Sequence, residues 1–169
     1  VVEEATRAAR TAPAAESVAL AGAWNPGEEP ISLRKIMRQR RSAVAFDGRS
    51  AIARDGFEQL LRRLLPCERD VALAALPWAP RVDVLTFVHR VEGLEPGLYL
   101  LVRDAAREAR WRERSSVVAN AERVEAEGLT LLRLERGDAR SLARSVSCQQ
   151  DIAADGCAAF AFLAEFEAS

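Results

Sequence analysis

The sequence has few of the residues that build metal sites or disulfide frameworks. Its three cysteines, Cys67, Cys148 and Cys157, form no C-x-x-C pair, and His89 is the only histidine among 169 residues. Zinc sites and disulfide scaffolds need closely spaced sets of these residues. The sequence therefore predicts neither, and three unpaired thiols are typical of a protein from a reducing cytoplasm.

Long apolar runs and a strong charge of one sign are also missing. No run approaches the roughly 18 apolar residues of a membrane span, and the start, VVEEATRAAR, lacks the basic-then-apolar order of a signal peptide. Lys and Arg together number 24 against 25 Asp and Glu, although Lys35 is the only lysine. We therefore expect a cytoplasmic protein that binds neither membrane nor nucleic acid. Because the chain starts at Val1 rather than at methionine, we also expect an excised part of a longer protein.

The common catalytic motifs are absent as well. The sequence contains no G-x-G-x-x-G, no G-x-x-x-x-G-K-[ST], no G-x-S-x-G and no H-E-x-x-H. With one histidine and no visible partner for it, a catalytic triad is not expected, and His89 is interpreted as a polar residue at a strand edge. If the protein is an enzyme, a bound cofactor is expected to supply the chemistry.

The first half of the chain is predicted to be an arm followed by helices. Residues 1–30 are rich in Ala and Pro and are predicted to be a linker or N-terminal arm, and residues 31–169 to be one domain. Apolar residues at helical spacing predict a helix over 31–41, capped by Ser32, and a second helix that ends at Pro66. Its apolar stripe consists of Phe57, Leu60, Leu61, Leu64 and Leu65. A short helical turn and a loop are predicted for residues 67–80.

The second half has the pattern of an antiparallel sheet. Residues 82–91 and 98–102 are β-branched and aromatic and flank the turn EGLEPG, so they predict a hairpin. A solvated helix is predicted over 104–127, a strand over 129–135, a helix capped by Asp138, and a buried strand over 158–166. In the helix after Asp138, the residues expected to face inward are Leu142, Ala143, Val146 and Cys148. This order predicts an α+β fold with a mostly antiparallel sheet covered by helices.

Two guanidinium groups and a hydroxyl stand where the first predicted helix ends, at Arg40, Arg41 and Ser42. A planar guanidinium can donate two hydrogen bonds to one phosphate, and a hydroxyl can add a third. Arginines at a helix C-terminus also interact favourably with the helix dipole by about 0.3–1 kcal/mol and need no ligand. The tripeptide alone leaves both interpretations open.

Three longer stretches resemble one protein family. RQRRSAVAFDGRSAIARDGFEQLLRRLLP is similar to the opening of the nitroreductase-like flavoproteins. FVHRVEGLEPGLYLLVRD resembles the strand, turn and strand of their SagB-type dehydrogenase branch, which is associated with thiazole and oxazole formation. SCQQDIAADGCAAFAFLAEFE resembles the Gln-bearing helix and core strand of that branch.

The resemblance implies a fold, a cofactor and an activity. The family has an α+β fold, forms homodimers, and holds FMN at the subunit interface, where the flavin exchanges hydride with NAD(P)H or an organic substrate. Matched by position, Arg40 and Arg41 would contact the FMN phosphate and ribityl chain, Ser42 would add a polar contact, and Gln149 would lie near the flavin. No catalytic residue and no metal ligand follow from the match.

Three departures from the family pattern support an alternative. Val44 stands where the family usually has a basic residue, residues 67–80 show no Ser-Gly-Asn-like flavin contact, and the chain ends at Ser169 where the family continues. The domain is therefore expected to be truncated at its C-terminal end. The alternative to an FMN-dependent oxidoreductase is a cofactor-free structural or assembly module with the same fold.

Overall fold

The computed structural model describes residues 32–66 and 81–164, so the predictions for the arm, for residues 67–80 and for the end of the chain lie outside the described residues. This part of the chain contains six helices and five strands. In chain order they are α1 (Leu33–Gln39), α2 (Arg54–Arg63), β1 (Val82–Val88), β2 (Gly97–Val102), α3 (Ala105–Arg114), α4 (Ser116–Ala119), β3 (Glu122–Val124), β4 (Thr130–Arg136), α5 (Arg140–Val146), α6 (Ile152–Asp155) and β5 (Ala158–Ala164).

The strands form one antiparallel sheet in the order β3-β4-β2-β1-β5. The predicted hairpin of β1 and β2 is confirmed, with Leu85 opposite Leu100, and its turn contains Gly93 at a φ of 70°. The predicted strands β4 and β5 are confirmed too, but the predicted burial of β5 is wrong: β5 is an edge strand, none of its residues from Ala158 to Ala164 is fully buried, and Phe162 is 66% exposed. The α+β class with a helix-covered antiparallel sheet is therefore correct.

The largest buried apolar cluster lies on the face of this sheet under α2, and smaller clusters lie on the opposite face. Phe57, Leu61 and Leu65 of the α2 region are buried against Val84, Val88 and Tyr99 of the hairpin. The ring of Phe57 stacks on Phe160 of β5, with 6.4 Å between centroids and 14° between planes. The residues that were predicted as the apolar stripe from their three- and four-residue spacing thus form the main hydrophobic contact of the fold.

A buried carboxylate organises the opposite face of the sheet. Asp83 is fully buried, and its Oδ2 accepts hydrogen bonds from Arg107 Nε at 2.7 Å and from Trp111 Nε1 at 2.6 Å. Its Oδ1 accepts from the backbone N–H of Arg103 at 3.1 Å. A buried charge needs such donors to offset its lost hydration. The charged and aromatic residues of α3 therefore hold that helix on the sheet.

The solvated helix predicted over 104–127 is wrong in its second half. The helix begins as expected after Asp104, whose carboxylate accepts from Ala106 N–H, but it ends at Arg114. Ser115 is extended and its hydroxyl caps the separate turn α4 by accepting from Val118 N–H, in the way that serine competes with helix continuation. Residues 122–124 then form an edge strand, whose charged residues gave the segment a helical appearance.

The predicted inward faces of several helices are also wrong in part. Leu60, Leu142 and Val146 are exposed, whereas Phe57, Leu61 and Ala143 are buried as predicted. Cys148 is exposed rather than inward. Both α1 and α5 have seven residues, and a helix of two turns presents few side chains to the sheet.

Asp138 and Ser32 act at their helices in ways that differ from the prediction. The cap position of α5 is Ala139, and Asp138 one residue earlier accepts a hydrogen bond from Arg140 N–H at 3.0 Å. Ser32 is the residue before α1, as predicted, but its side chain makes no cap hydrogen bond. Burial also overturns the strand-edge interpretation of His89, which lies one residue beyond the end of β1.

Candidate functional site

The predicted phosphate contacts lie on an exposed surface where α1 ends. Arg40 Nη1 donates to Ser42 Oγ at 3.3 Å, which brings a guanidinium and the hydroxyl together. Arg41 Nη1 donates to the carbonyl oxygens of Arg38 at 2.9 Å and of Arg40 at 3.1 Å. Within residues 32–66 and 81–164, neither arginine forms an ion pair with a carboxylate. Their charges are thus available to an anion.

The turn after this segment is built around Asp47. Its Oδ1 accepts from the backbone N–H groups of Arg49 and Ser50, each at 2.9 Å, and its Oδ2 accepts from the Ser50 hydroxyl. These bonds, led by that of the Ser50 hydroxyl, lower the pKa of Asp47 to about 2. The FDGRS sequence therefore forms a closed turn with Gly48 at a φ of 66°.

Gln149 lies in an unusual backbone conformation after α5. Cys148 and Gln149 have φ values of 54° and 62°, a region that residues with a side chain seldom adopt. Hydrogen bonds hold the turn, since Gln149 N–H donates to Arg144 O at 2.9 Å. The Gln149 side chain is exposed. Residues with such backbone conformations often occur at ligand-binding sites, so Gln149 stays a candidate ligand contact.

The segments that follow these two predicted contacts meet in the fold. Ser50 O accepts from Arg90 Nε at 2.9 Å and from Cys157 Sγ at 3.2 Å. The loop after Ser42 is thus held against the chain that follows Gln149. The structure brings Arg40 and Ser42 together, and none of its hydrogen bonds joins Gln149 to them within the described part of the chain.

A second candidate site is a pocket that the sequence prediction missed. It has a volume of about 510 Å³ and lies where β1 ends, next to the chain after β4. The residues that line it are His89, Arg90, Glu95, Pro96, Arg136, Gly137, Asp138 and Arg140. Its volume is within the range of small-molecule sites. The adjacent His and Arg just before the turn EGLEPG are the sequence signal that could have indicated it.

A local irregularity of the sheet brings His89 and Arg90 to this pocket. Their two N–H groups donate to the same carbonyl, Cys157 O, at 3.0 and 2.9 Å. In a β-bulge, two residues of one strand lie opposite a single residue of the neighbouring strand. The bulge changes the direction of side chains that would otherwise alternate between the two faces of the sheet. Both residues consequently line one pocket.

His89 is satisfied at one ring nitrogen only. The residue is 6% exposed, and its Nε2 lies 3.0 Å from Ala153 O, so Nε2 carries the proton that is donated to this carbonyl. Nδ1 is then an acceptor, and it is buried with no hydrogen-bond partner in the described protein. Burial lowers the pKa of His89, and the charge of Arg90 lowers it further. The imidazole is therefore neutral at pH 7.

Arg90 is held rigidly and keeps one free nitrogen. Its Nε donates to Ser50 O, and its Nη2 donates to Asp155 O and Gly156 O, the latter at 2.9 Å. Its Nη1 is buried without a partner among the described residues. No carboxylate in residues 32–66 and 81–164 forms an ion pair with it, although its charge contributes to the low pKa of Asp47.

The other charges of the pocket are paired. Arg140 Nη2 lies 2.6 Å from Asp138 Oδ2, and Arg136 Nη1 lies 3.4 Å from Glu95 Oε2. The hydrogen bond from the side chain of Arg140 is the main reason that the pKa of Asp138 lies well below its usual range. With three guanidinium groups, two carboxylates and a neutral imidazole, the pocket keeps one positive charge, and that charge belongs to Arg90.

The chain was compared with protein-family models, curated proteins and solved structures. In the part of the chain that the structure describes, no helix is long and apolar enough to cross a membrane, and no three His, Cys, Asp or Glu side chains are grouped as metal ligands. None of the three comparisons returned a match.

Proposed function

We propose that this chain is the flavin-binding part of a cytoplasmic FMN-dependent oxidoreductase of the nitroreductase-like, SagB-type kind. The observation that carries the proposal is the exposed group of Arg40, Arg41 and Ser42, whose guanidinium charges are not neutralised by any carboxylate of residues 32–66 and 81–164. The resemblance of three stretches to that family supplies the identity of the anion.

These residues fit a phosphate group. Arg40 and Ser42 are 3.3 Å apart at Nη1 and Oγ, so a single phosphate can accept hydrogen bonds from both. Arg41 uses Nη1 on two carbonyls and retains its other N–H donors. Gln149 is the proposed contact nearer the flavin ring. When bound, FMN supplies hydride exchange with a reduced nicotinamide or an organic substrate, and the chain's own residues bind and orient it.

A second copy of the chain is the proposed partner in this site. Ile36, Met37, Val44 and Phe46 expose their apolar side chains around Arg40–Ser42, with Met37 at 74% and Val44 at 96%. An exposed apolar surface beside a cofactor group favours association, because it removes that surface from water. A homodimer would then supply the walls around the flavin that an exposed surface lacks.

One observation favours the alternative of a cofactor-free structural or assembly module. Arg41 donates to Arg38 O, a carbonyl in the last turn of α1, which is the interaction expected of an arginine that caps a helix without a ligand. In that case Val44 in place of a basic residue would be neutral for function. The two proposals differ in whether the protein binds FMN at all.

An FMN titration tests the proposal. We expect the protein to quench FMN fluorescence on binding, and Arg40→Ala or Arg41→Ala to weaken binding by about 1.5–3 kcal/mol for each charge-assisted hydrogen bond lost. Lys at either position is expected to restore affinity only in part, because an ammonium cannot form the bidentate contact.

The matched control is Arg38→Ala, which removes the same charge from the last turn of α1, next to the group. It should change FMN affinity much less than either neighbouring variant, because Arg38 is outside the Arg40–Ser42 group. Unchanged FMN affinity in both Arg40→Ala and Arg41→Ala, with Val44 intact, would overturn the phosphate assignment and favour the structural module.

A further inference from the structure

We propose that β5 pairs with β5 of a second copy of this chain, antiparallel and centred on Ala161, so that the two five-stranded sheets become continuous. The inference names the contact that the second copy makes, and in that respect it rests on the function proposed above. The pairing itself needs no FMN.

The two edges of the sheet differ in how they are protected. β3, at one edge, has three residues, of which Glu122 and Arg123 are charged and exposed. β5, at the other edge, has seven residues, AAFAFLA, with no charge and no proline. Short strands and charged side chains oppose pairing at an edge, whereas a long apolar edge is a template for another strand. β5 is therefore the edge to which a further strand can be added.

The backbone of β5 has unpaired groups on its outer side. Cys157 O accepts from the N–H groups of His89 and Arg90, so the backbone of Cys157 points to β1. These groups alternate in direction along an antiparallel strand, and the register of β5 with β1 is continuous from Ala158 to Ala164. The residues whose N–H and C=O groups point outward are therefore Ala158, Phe160, Phe162 and Ala164. Within residues 32–66 and 81–164, no backbone hydrogen bond reaches these groups.

The outward groups match when two copies of β5 pair about Ala161. Phe160 then lies opposite Phe162 of the second copy, and Ala158 lies opposite Ala164 of that copy. Each of these pairs can exchange two backbone hydrogen bonds, because both members point outward. Ala161 is the middle residue of β5, so this register pairs the whole strand. Since β5 has no charged residue, no like charges oppose each other.

The exposed phenylalanine of β5 gains a partner in this register. Phe162 is 66% exposed, whereas Phe160 stacks on Phe57 of α2. Directly opposite residues of an antiparallel pair have Cβ atoms about 4.5–5.5 Å apart, and aromatic pairs at this spacing stabilise a sheet. Pairing therefore covers Phe162 with Phe160 of the second copy.

The β5 edge also adjoins the apolar surface that the second copy is proposed to cover. A Cβ built on Gly156, two residues before β5, would lie 3.7 Å from a ring carbon of Phe46. Phe46 is half exposed and is one of the apolar side chains around Arg40–Ser42. The open strand and this apolar surface thus lie side by side. One occupant can cover both, and a second copy supplies a strand of the same length and the same apolar composition.

Cysteine cross-linking tests the register. In a chain whose Cys67, Cys148 and Cys157 are replaced by Ser, we would compare Ala161→Cys with Ala159→Cys under oxidation by copper phenanthroline. Position 161 lies opposite itself in a non-hydrogen-bonded pair, with about 4.5 Å between Cα atoms, which suits a disulfide. Two copies of position 159 are four residues out of register, about 13 Å apart, and cannot be bridged. Both alanines pack in the same cluster on one face of the sheet, so they are matched.

We expect Ala161→Cys to form a disulfide-linked dimer about tenfold or more faster than Ala159→Cys. Equal cross-linking of the two variants, or none with Ala161→Cys, would overturn the pairing. FMN titration of the same proteins reports on the proposed function separately. FMN binding without a cross-link contradicts the β5 pairing alone, and a cross-link without FMN binding contradicts the flavoprotein alone.

A charge on the open edge gives a second measurement, on the chain with its natural cysteines. Phe162→Lys should raise the dissociation constant of the dimer in sedimentation by about tenfold or more, because an edge lysine opposes strand pairing. Val117→Lys, at an exposed valine of α4, is the matched control and should leave the constant unchanged. A Phe162→Lys variant that dimerises as tightly as the natural chain contradicts the role of β5, and if this variant does not fold, the cross-linking comparison still decides.

Discussion

At the scale of single residues, one glycine is required by close backbone contact. A Cβ built on Gly97 would lie 2.3 Å from Glu135 O, a backbone atom of β4 that cannot rotate away. Gly97 starts β2 and pairs with β1 and β4 at once. The absence of a side chain therefore lets the three strands join at the bulged end of the sheet.

We predict that Gly97→Ala destabilises the protein and that Gly56→Ala does not. The first variant must push β2 and β4 apart, which we expect to cost about 2 kcal/mol or more of the free energy of unfolding. In α2, a Cβ on Gly56 would meet only Ile52 side-chain atoms at 3.8 and 3.9 Å, an ordinary contact. Alanine there should stabilise by about 0.5–1 kcal/mol through helix propensity.

Urea denaturation of the three proteins measures both effects. Gly56→Ala controls for the introduction of a methyl group. Equal unfolding free energies for Gly97→Ala and the natural protein would show that β2 and β4 are further apart than the fold described above.

At the scale of elements, α2 is joined to the sheet by one stripe of side chains. Phe57 and Leu61 are buried at adjacent turns of the helix, whereas Leu60 between them is 40% exposed. Arg54 and Arg62 both pair with Glu58 on the polar side of the helix. The helix thus has a single apolar face. Whether shortening a side chain of α2 lowers the free energy of unfolding depends on whether that side chain lies on this face.

We predict that Leu61→Ala costs about 2–5 kcal/mol of unfolding free energy, because it leaves a cavity under α2. Leu60→Ala, which removes the same atoms from the next position, should cost less than about 1 kcal/mol. Thermal and urea unfolding of the two variants check this difference. Similar losses for both would mean that Leu60 is covered in solution, for instance by a second copy.

At the scale of the whole molecule, the pH dependence of stability should show a phase due to one residue. The pKa of His89 is lowered in the folded state, chiefly by burial, with Arg90 and Arg140 adding to the effect and Asp138 and the bond to Ala153 opposing it. A lowered folded pKa means that the unfolded chain binds the proton more readily. The contribution of neutral His89 to folding stability is therefore complete above the ordinary pKa of 6.5, and it is lost as the pH falls below that value.

We predict that unfolding free energy falls by at most about 1.4 kcal/mol per pH unit as the pH decreases from 6.5, until His89 is protonated in the folded state. Asp47, Glu122 and Asp138 have lowered pKa values, so their contributions are lost only at more acidic pH, below the ordinary range of carboxylates. His89→Gln should give a flat profile between pH 7 and 5.5. The same slope in this variant would assign the phase to another group.

The second prediction at this scale concerns association. The apolar side chains around α1 and the segment after it are exposed, and we expect them to meet a second copy, so that sedimentation gives the mass of a dimer. Met37→Asp should shift the equilibrium to monomer, because a charge would be buried at the contact. Val117→Asp, at an exposed valine on α4, is the matched control and should leave the dimer intact. A natural chain that stays monomeric at high concentration contradicts the homodimer.

The sequence determined the features that depend on neighbours along the chain. The β-branched and aromatic residues of β1 and β2 and the Gly and Pro residues of their turn predicted the hairpin, because a short turn leaves two strands little choice of partner. The three- and four-residue spacing of Phe57, Leu61 and Leu65 predicted which face of α2 is buried. The helix at α1 was predicted as well, although its end was placed at Arg41, two residues beyond Gln39. The function proposed from Arg40, Arg41, Ser42 and Gln149 remains a prediction from resemblance.

Only the tertiary structure decided the features that depend on residues far apart in the chain. The edge strand β3 forms because β4 offers it backbone hydrogen bonds, although its own residues are charged. Cys157 lies 68 residues after His89 in the sequence. Its carbonyl accepts from the N–H groups of both His89 and Arg90, and this bulge places both residues in the lining of one pocket. Burial then leaves His89 Nδ1 and Arg90 Nη1 without a hydrogen-bond partner among residues 32–66 and 81–164. Periodicity cannot predict such a site, because the partner atoms belong to a strand whose register is set by the folded sheet.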